Sequence, residues 1–344
     1  MSAAKVVTLG EIMLRLKSPG HERLLQSPVF EATFGGAESN VAIALSGYGV
    51  PTSFATALPS NAIGDSAIAE LRRYGVDTRH VMRRSGRIGI YFFEAGAAQR
   101  PSRVVYDREG SAMATAEPGS FDWNAVLNGA QWLHVSGITP AISESAARLC
   151  LESVTEARRR QITVSCDYNY RANLWGYGKS APEVMRRIMA HVNIGIAGRE
   201  DCQKALGIQM KADTSSGEPD LQYYAALAQR VLDEFPTLDK QVITLRESHS
   251  ANHNGWSACM HNREKLLVSR RYDVTDIVDR VGAGDAFSAG LIYGIVTGQD
   301  DAAALEFATA AGCLKHTIPG DFNRGSVAEV TALINGDSSG RVQR

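Results

Sequence analysis

The chain carries little net charge and contains no long apolar run, and both absences exclude classes of partner. Its 36 Lys and Arg nearly balance 37 Asp and Glu, so the formal net charge is −1. This balance provides no electrostatic basis for binding nucleic acid or an anionic membrane surface. No uninterrupted apolar stretch approaches the roughly 18 residues of a membrane span. We therefore expect neither a nucleic-acid partner nor a membrane partner.

Cysteine is also scarce, and the five cysteines are scattered without the Cys-x-x-Cys spacing of metal or redox motifs. Such a set is typical of reduced, buried thiols that pack as small hydrophobic side chains. The first residues lack the apolar segment and cleavage pattern of a secretory signal. Together these features predict a cytoplasmic location.

Two common nucleotide-binding motifs are incomplete. A dinucleotide fingerprint that starts at Gly282 needs a glycine at position 287, where Phe287 stands. The stretch 173–180 approaches a phosphate-binding P-loop, but Asn173 replaces its first glycine and the preceding residues are not those of a buried strand. A loop that leads into a helix near Pro182 explains this stretch better. A nicotinamide-dependent oxidoreductase is therefore disfavoured.

The most informative stretch that is present runs Asp-Arg-Val-Gly-Ala-Gly-Asp-Ala-Phe over positions 279–287 and leads into an apolar helix. Unpaired N–H groups at a helix start attract anions, and Gly282 and Gly284 let a phosphate approach the backbone closely. Asp285 follows at a position where it can take a proton from a hydroxyl that attacks this phosphate. The alternative is a glycine-rich turn into a buried helix, with Asp285 as a capping residue.

A second glycine-rich segment lies near the N-terminus, where Gly35 and Gly36 precede Asn40 and an apolar helix. Paired glycines let a compact ligand lie against the backbone. The Asn40 amide offers a donor and an acceptor to a sugar hydroxyl. The alternative, which the segment favours when it is taken alone, is a turn with Asn40 as the helix N-cap.

Short β-rich runs alternate with amphipathic helical stretches, which predicts an α/β fold with a parallel sheet and helices on both faces. The predicted central strands cover residues 6–9, 53–57, 131–135, 162–167, 193–197 and 242–245. The predicted helices cover residues 40–48, 65–74, 143–160, 181–191, 199–206, 221–235, 284–297 and 302–316. Gly49, Gly75 and Gly207 stand where a left-handed helix stop is expected.

Two regions break this alternation, because residues 13–18 and 87–109 contain strand-like runs without helices between them. We predict that they form a small β-sheet lid inserted into an α/β body of residues 1–12, 19–86 and 110–336. Ile90 and Phe92 are expected to be exposed on this lid, and a second subunit would cover them in a homodimer or larger homo-oligomer. The polar segment 211–220 and the tail 337–344 are predicted to be flexible.

The early Gly-Gly-x-x-x-Asn and the late Asp-x-x-Gly-Ala-Gly-Asp together resemble the signature of the ribokinase-like (PfkB) family of carbohydrate kinases. Within this family the chain is similar to the 2-keto-3-deoxygluconate kinases at positions 35–40, 91, 106–112 and 167–175. Glu38 and Arg280 depart from the small residues that are usual at their positions. The resemblance implies a ribokinase-like three-layer α/β/α body with a mostly parallel central sheet and a small inserted β lid.

The resemblance implies transfer of the γ-phosphoryl group of ATP to the 6-hydroxyl of 2-keto-3-deoxy-D-gluconate, with Mg²⁺ bridging the phosphates. Asp285 is then the catalytic base. The amides of Gly282, Ala283 and Gly284 stabilise charge on the transferring phosphoryl oxygens. Two alternatives remain: a kinase for another sugar or sugar acid, such as fructose, ribose or 2-keto-3-deoxygalactonate, and a non-catalytic sugar or nucleotide sensor on the same fold.

The resemblance assigns the sugar-acid pocket to Gly35, Gly36, Asn40, Tyr91, Tyr106, Arg108, Arg171 and Asp285. The two arginines are candidates for binding the substrate carboxylate, because a guanidinium meets a carboxylate with paired donors. The two tyrosines wall the pocket and offer hydroxyl contacts. For each arginine taken alone, the alternative is a solvated surface charge.

The resemblance assigns nucleotide contacts to Thr244, Arg246, Ser248, Gly282, Gly284 and Gly320, with Thr244 alternatively a plain strand-end residue. Glu200 is assigned to Mg²⁺ through water, or alternatively to the first turn of a helix. Ala197 replaces the asparagine of the usual Asn-x-x-Glu motif that Glu200 completes. Asp279 is assigned either to a monovalent cation such as K⁺ or to capping its turn.

Overall fold

The computed structural model describes residues 4–210 and 220–337, in which strands and helices alternate. The strands are β1 (Lys5–Leu9), β2 (Met13–Lys17), β3 (Glu31–Gly35), β4 (Thr52–Pro59), β5 (Val81–Arg84), β6 (Gly89–Glu94), β7 (Arg103–Asp107), β8 (Ala130–Ser136), β9 (Thr163–Asp167), β10 (Ile194–Gly198), β11 (Lys240–Ser248), β12 (Asn254–His261), β13 (Leu266–Val268) and β14 (Tyr272–Val274). The helices are α1 (Ala37–Gly47), α2 (Ala62–Arg73), α3 (Trp123–Val126), α4 (Ile138–Ala141), α5 (Glu144–Arg159), α6 (Ala181–Met189), α7 (Asp201–Leu206), α8 (Leu221–Glu234), α9 (Ala283–Val296), α10 (Asp301–Lys315) and α11 (Val327–Ile334).

The larger of two sheets forms the centre of the fold, in the strand order β13-β12-β11-β10-β9-β8-β1-β4-β5 with β14 against β12. The strands from β5 to β11 in this order run parallel, whereas β12 pairs antiparallel with β11, β13 and β14. The predicted mostly parallel central sheet is confirmed, and each of the predicted strands lies in it. The edge strands β5 and β12–β14 were not predicted.

Alternate residues of the central strands face opposite helix layers, as the two-residue period of a strand requires. On β1, Val6 packs in one core with Leu45 of α1 and Phe287 of α9. Its neighbour Val7 packs in a separate core with Leu149 of α5. This arrangement confirms the predicted three-layer α/β/α body.

The helices form where the sequence predicts them, with ends that differ by a few residues. Gly49, Gly75 and Gly207 have φ angles of 83°, 80° and 71°, which confirms the predicted left-handed helix stops. The helices α3, α4 and α11 were not predicted. The first two have four residues each, which is too short for a helical period to show in the sequence.

The smaller sheet has the order β3-β2-β6-β7. Strands β2, β6 and β7 were predicted to form a separate sheet, and this prediction is confirmed. Residues 31–35 were assigned to the body, but they form β3 and pair antiparallel with β2. The first three residues of β3 are exposed, so they lack the apolar alternation that marks a half-buried strand. We retain the division into body and lid as a proposal, with residues 31–35 moved to the lid.

The exposed apolar residues of the lid are not the predicted ones. Ile90 packs against the body core that contains Phe54, and the Phe92 ring contacts the Phe30 ring at a centroid distance of 5.8 Å. Both side chains are half-buried rather than exposed. Val104 and Val105 on β7 are instead 40% and 45% exposed, because β7 is the edge strand of the lid.

The five cysteines agree with the prediction of unpaired, mostly buried thiols. All five cysteines are free thiols, and four of them are buried. Of the helices that the structure describes, none combines the length and apolar character needed to cross a lipid bilayer. The segments 211–219 and 338–344, which include most of the predicted flexible residues, lie outside the described residues.

Candidate active site

A cleft of about 770 Å³ lies between the carboxyl ends of the central strands and the small sheet. Asp167 at the end of β9, Gly198 at the end of β10 and Thr244 on β11 line it from the body. Tyr91 and Tyr106 line it from the lid. In parallel α/β sheets, ligands bind outside the carboxyl ends of the strands, so the topology itself makes this cleft the candidate site.

The cleft brings most of the predicted site residues together. The predicted residues that line it are Gly36, Asn40, Tyr91, Tyr106, Arg108, Arg171, Glu200, Thr244, Arg246, Ser248, Gly282, Ala283, Gly284 and Asp285. Gly35, Asp279 and Gly320 do not line it. A Cβ on Gly35 would lie 2.0 Å from Asp321 Oδ2, and the Gly320 N–H donates to Asp279 Oδ2 at 3.2 Å. These three residues therefore act behind the cleft wall.

Helix α9 begins in the wall of this cleft. Its N-cap is Gly282, which has a φ of 83°, a left-handed conformation that glycine adopts without strain. A Cβ on Gly282 would lie 2.1 Å from the Asp321 carbonyl oxygen, so this position also requires glycine for space. A Cβ on Gly284 would meet no atom within 4 Å outside its own turn of helix, so the turn is open toward the cleft. First-turn amides without intrahelical partners make this turn an anion-binding site.

Asp285 is a first-turn residue of α9 and lies beside this turn. The Asn40 side-chain amide donates a hydrogen bond to Asp285 Oδ2 at 2.6 Å. Burial raises the pKa of Asp285 to about 7; the Asn40 hydrogen bond lowers it, and the charges of Asp321 and Glu38 raise it further. A carboxyl group with a pKa near neutrality is suited to accepting a proton at neutral pH. Asp285 is not the helix cap, because Gly282 holds that position.

Asn40 connects the two sequence motifs. It lies inside α1, whose N-cap is Gly36, so the alternative of Asn40 as an N-cap is wrong. Its Oδ1 accepts the Gly36 N–H at 3.2 Å while its Nδ2 binds Asp285, which is 245 positions away in the chain. One amide thus uses its acceptor on the early motif and its donor on the late one.

A buried ionic network links the lid to the floor of the cleft. Arg15 on β2 is 1% exposed and donates to Asp279 Oδ2 and to Asp321 Oδ1, each at 2.5 Å. The Tyr91 hydroxyl on β6 donates to the same Asp321 oxygen at 2.5 Å. Burial, together with the Asp321 charge, raises the pKa of Tyr91 well above its usual value. The network therefore joins two lid strands to the loop before α9, which holds Asp279, and to the loop after α10, which holds Asp321.

The two arginines proposed for the substrate carboxylate differ in their surroundings. Arg108 is buried, and its Nε donates to Glu11 Oε2 at 2.8 Å while its Nη2 contacts the same oxygen. Arg171 is exposed to the cleft, and its Nη1 donates to the Tyr170 carbonyl oxygen at 2.8 Å. Within the described residues Arg171 forms no ion pair with a side chain, so of these two guanidinium groups it is the one available to an anionic ligand.

The two departures from the family signature have structural partners. Glu38 is buried, and it accepts hydrogen bonds from the Ser136 hydroxyl and the Thr139 hydroxyl, both at 2.8 Å. Burial raises the pKa of Glu38. Arg280 lines the cleft and donates to the Ala251 carbonyl oxygen at 2.6 Å. Glu38 thus ties α1 to the end of β8, and Arg280 ties the α9 turn to the loop after β11.

Carboxylates near β10 form the part of the cleft that fits Mg²⁺. Glu200 is exposed and accepts from Lys204 Nζ at 2.5 Å, and Asp167 and Asp201 line the cleft nearby. Burial and the neighbouring Asp201 charge raise the pKa of Asp167 well above its usual value. The described residues contain no cluster of three His, Cys, Asp or Glu that could hold a metal ion. Mg²⁺ keeps several waters and binds through one or two carboxylates plus phosphates, so this sparse donor set is compatible with it.

Thr244, Arg246 and Ser248 lie in succession along β11 with their side chains in the cleft wall. The Thr244 hydroxyl donates to the Ala197 carbonyl oxygen on β10 at 3.3 Å. The strand continues to Ser248, so the alternative of Thr244 as a strand-end residue is wrong. Arg246 and Ser248 are exposed.

Several residues of the site were not predicted, namely Arg15, Glu11, Asp321 and Asp167. Asp167 ends a predicted strand, and a carboxylate at the carboxyl end of a parallel strand is a signal that could have identified it. Arg15 is a charged residue between two apolar ones in a predicted lid strand. Its partners lie 264 and 306 positions away, and no local pattern could indicate them.

The chain is similar to known proteins along nearly its whole length. Residues 3–323 match the model of a family described as pfkB family carbohydrate kinase. The chain is 30% identical over 338 residues to the 2-dehydro-3-deoxygalactonokinase of Haloferax volcanii, covering 98% of both chains. It is 27% identical over 319 residues to the 2-dehydro-3-deoxygluconokinase of Thermoproteus tenax, covering 92% of this chain and 89% of that one. The crystal structure of the 2-dehydro-3-deoxygluconokinase of Thermotoga maritima has a TM-score of 0.90 and 45% identity, covering 97% of this chain and all of that one.

The buried network predicts that Arg15→Met is strongly destabilising. Methionine fills most of the space of the arginine side chain but leaves the Asp279 and Asp321 carboxylates without the guanidinium that pairs with both. Loss of one partner from a buried ionic network costs about 3–5 kcal/mol, and we expect a fall of this size in the free energy of unfolding in urea.

Arg79→Met is the matched control, because Arg79 pairs with Asp77 at 2.7 Å on the surface, where its side chain is 79% exposed. An exposed pair contributes little to stability, so we expect no measurable change for this variant. Equal losses of stability in the two variants would contradict the role assigned to the network.

Proposed function

The chain belongs to the pfkB family of carbohydrate kinases, and on this basis we propose that it phosphorylates the 6-hydroxyl of 2-keto-3-deoxy-D-gluconate with ATP. This substrate is the 2-dehydro-3-deoxygluconate of its relatives' names, and the products are 2-keto-3-deoxy-6-phosphogluconate and ADP. The observation that carries the proposal is the position of Asp285. One carboxylate with a pKa of about 7 stands beside an anion-binding helix start, in a cleft that also contains Asn40 and Arg171.

Asp285 is the proposed general base. Its carboxylate takes the proton of the 6-hydroxyl while the oxygen of that hydroxyl forms a bond to the γ-phosphorus. The bond from the γ-phosphorus to the bridging oxygen breaks, and ADP leaves with that electron pair. The Asn40 hydrogen bond holds one Asp285 oxygen, so the other oxygen remains free to accept the proton.

The α9 turn is the proposed site of charge stabilisation. Negative charge spreads over the equatorial oxygens of the transferring phosphoryl group in the transition state. The amides of Gly282 and Gly284 and the positive end of the α9 dipole face this charge without reorganisation, and the Ala283 amide joins them by giving up a long bond of 3.4 Å to the Arg280 carbonyl oxygen. Gly284 leaves the approach open, because no atom outside its own turn of helix lies within 4 Å of where its Cβ would be.

Arg171 is the proposed partner of the substrate carboxylate. Of the two arginines considered for the carboxylate, Arg171 is the one that forms no ion pair within the described residues, whereas Arg108 already neutralises Glu11. Arg108, Tyr91 and Tyr106 then wall the sugar pocket from the lid side. We propose that the lid covers the sugar during the reaction, which excludes water that would otherwise accept the phosphoryl group.

The nucleotide is proposed to lie along β11, where Thr244, Arg246 and Ser248 face the cleft. Mg²⁺ supplies neutralisation of the phosphate charge when it is bound with ATP. Glu200 is the residue proposed to hold it, through water, and Lys204 keeps the Glu200 side chain in place by an ion pair at 2.5 Å. The protein's own contribution to the proposed reaction is proton transfer at Asp285 and charge stabilisation at the α9 turn.

Two further proposals follow from the comparisons and the lid. The C4 epimer 2-keto-3-deoxygalactonate is a second candidate substrate, because the Haloferax volcanii relative, at 30% identity, is named for it. A homodimer or larger homo-oligomer through the lid is proposed from the apolar residue Val105, which is 45% exposed on the edge strand β7, whereas its neighbour Val104 lines the cleft.

Asp285→Asn is predicted to lower kcat by about a thousandfold, because the amide keeps the shape of the side chain but cannot accept the proton. The KM values for ATP and the sugar acid are expected to change only a few-fold. ADP release in a coupled assay measures both. Asp65→Asn is the matched control, since Asp65 is an exposed first-turn residue of α2 outside the cleft, and normal turnover is expected. Normal turnover of the Asp285 variant would end this assignment.

The raised pKa of Asp285 predicts that the acid side (the acid limb) of the pH profile of kcat/KM has its midpoint near neutral pH. The base is active only when it is ionised, so kcat/KM should fall about tenfold per pH unit as the pH drops below about 7. Asn40→Ala removes the hydrogen bond that lowers this pKa, so its limb should move to higher pH. A limb near pH 4 in the wild type, the usual range of an aspartate, would contradict the assignment.

Arg171→Met is predicted to raise the KM for 2-keto-3-deoxygluconate about 10- to 100-fold, the usual cost of a lost hydrogen bond to a charged group. Fructose and ribose, which have no carboxylate, serve as control substrates, and any turnover of them should be unaffected. An unchanged KM for the sugar acid would contradict the carboxylate assignment.

A panel of sugars with the wild type tests the substrate itself. The gluconate- and galactonate-derived keto acids are compared in the same coupled assay, together with fructose and ribose. Faster turnover of the galactonate epimer would favour the second candidate. No phosphorylated product from any of these sugars would favour a non-catalytic sensor.

A further inference from the structure

Lys315, the last residue of α10, is a fully buried lysine beside the anion-binding turn. Its Nζ donates to the carbonyl oxygens of Asp279 at 3.3 Å and of Ile318 at 3.0 Å. A Cβ on Gly282 would lie 3.3 Å from Lys315 Cε, so the lysine side chain runs directly against the first residue of the turn. A buried ammonium group is costly unless it is hydrogen-bonded and close to negative charge, and Lys315 has both kinds of partner.

The charges around Lys315 form a compact set. Burial lowers the pKa of Lys315 to about 8, and the Asp279 and Asp321 charges oppose this shift while Arg15 adds to it. The lysine is therefore an ammonium ion at pH 7. Asp285 is close enough to favour this charged form as well. Two fixed cations, Arg15 and Lys315, thus stand behind the turn that faces the phosphoryl group.

The family resemblance implies a monovalent cation such as K⁺ at Asp279, and the residues present do not fit one. A K⁺ site needs oxygen atoms whose lone pairs face the ion. The Asp279 carbonyl oxygen accepts from Lys315, and its Oδ2 accepts from Arg15 at 2.5 Å and from the Gly320 N–H. Its Oδ1 accepts the Val281 N–H at 3.1 Å. Each Asp279 oxygen therefore already faces an N–H donor.

We propose that the Lys315 ammonium takes the place of a monovalent cation behind the α9 turn, so that this kinase works without K⁺. Lys315 is a positioning residue: it holds the Asp279 and Ile318 carbonyl oxygens on its own side, and it adds positive charge behind Gly282. Both effects act on the substrate through the turn and need no contact with it. The inference rests on the proposed kinase function.

The wild-type enzyme provides the first test. Turnover with ATP, Mg²⁺ and 2-keto-3-deoxygluconate at pH 7 is measured in KCl and in tetramethylammonium chloride, each at about 100 mM so that screening is equal. We expect the same rate and the same Tm in the two salts. Activation of the wild type several-fold by K⁺ would overturn the proposal, whatever the variants do.

Lys315→Ala provides the second test, because it opens the space of the side chain to an ion. In tetramethylammonium chloride its turnover is expected to fall about tenfold or more. KCl or NH₄Cl should restore most of the rate and raise its Tm by about 2 °C or more, since a ligand of the folded state stabilises it. Lys315→Met fills the space without charge, so it should lose the same activity and regain none.

Lys240→Met is the matched control, because Lys240 pairs with Asp301 at the other end of α10, at 2.9 Å. It should behave as the wild type in every salt. A folded Lys315→Ala variant that is equally active, or equally inactive, in all salts would overturn the proposal. If the variant does not fold, the wild-type comparison still decides.

The failure of this inference differs from the failure of the proposed function. A wild type that phosphorylates none of the sugars would remove the kinase proposal. The Tm of Lys315→Ala in the two salts still tests the cation site in that case, because this measurement requires no substrate. A K⁺-specific Tm rise in the variant but not in the wild type supports the inference, and a rise in both overturns it.

Discussion

The hydrogen bond from Asn40 to Asp285, 2.6 Å long, is the contact on which the candidate site depends. It joins the first turns of α1 and α9, which come from opposite ends of the chain, and it orients the carboxylate next to the open amides of the α9 turn. It also opposes the effect of burial on the Asp285 pKa, which stays near 7. A fully buried carboxyl without this donor would bind its proton more tightly and would be a poorer base at neutral pH.

A layer of fixed charges supports this arrangement from behind. Arg15 and Lys315 face Asp279 and Asp321, so two cations and two carboxylates nearly cancel in a place from which water is excluded. Because Arg15 lies on a lid strand, the same ion pairs that stabilise the turn also anchor the lid. The position of the lid and the shape of the anion-binding turn are therefore coupled through one buried network. The exposed Arg171 remains outside this network and free for a ligand.

The fold could be predicted well where its signal is local. The alternation of Val6 and Val7 between two cores follows from the period of a strand, and the glycines at 49, 75 and 207 end helices because they adopt positive φ. Strand β3 and the short helices α3 and α4 escaped prediction, since exposed or four-residue segments carry no periodic pattern. In the site, Gly36, Asn40 and the predicted residues 282–285 reach the cleft, whereas Gly35 and Gly320 lie behind its wall.

The sequence by itself determined the central parallel strands, most of the longer helices, the glycine turns before α1 and α9, and the position of a carboxylate just after the second turn. These features depend on interactions between residues a few positions apart, so a short segment of sequence is enough to predict them. Only the tertiary structure decided which charges are paired. Arg108 pairs with Glu11, whereas Arg171 forms no ion pair within the described residues. Asp279 accepts hydrogen bonds from Arg15 and Lys315, so its oxygens are not available to bind an ion. Such choices depend on contacts across hundreds of positions and on exclusion of water, and neither appears in any local pattern of residues.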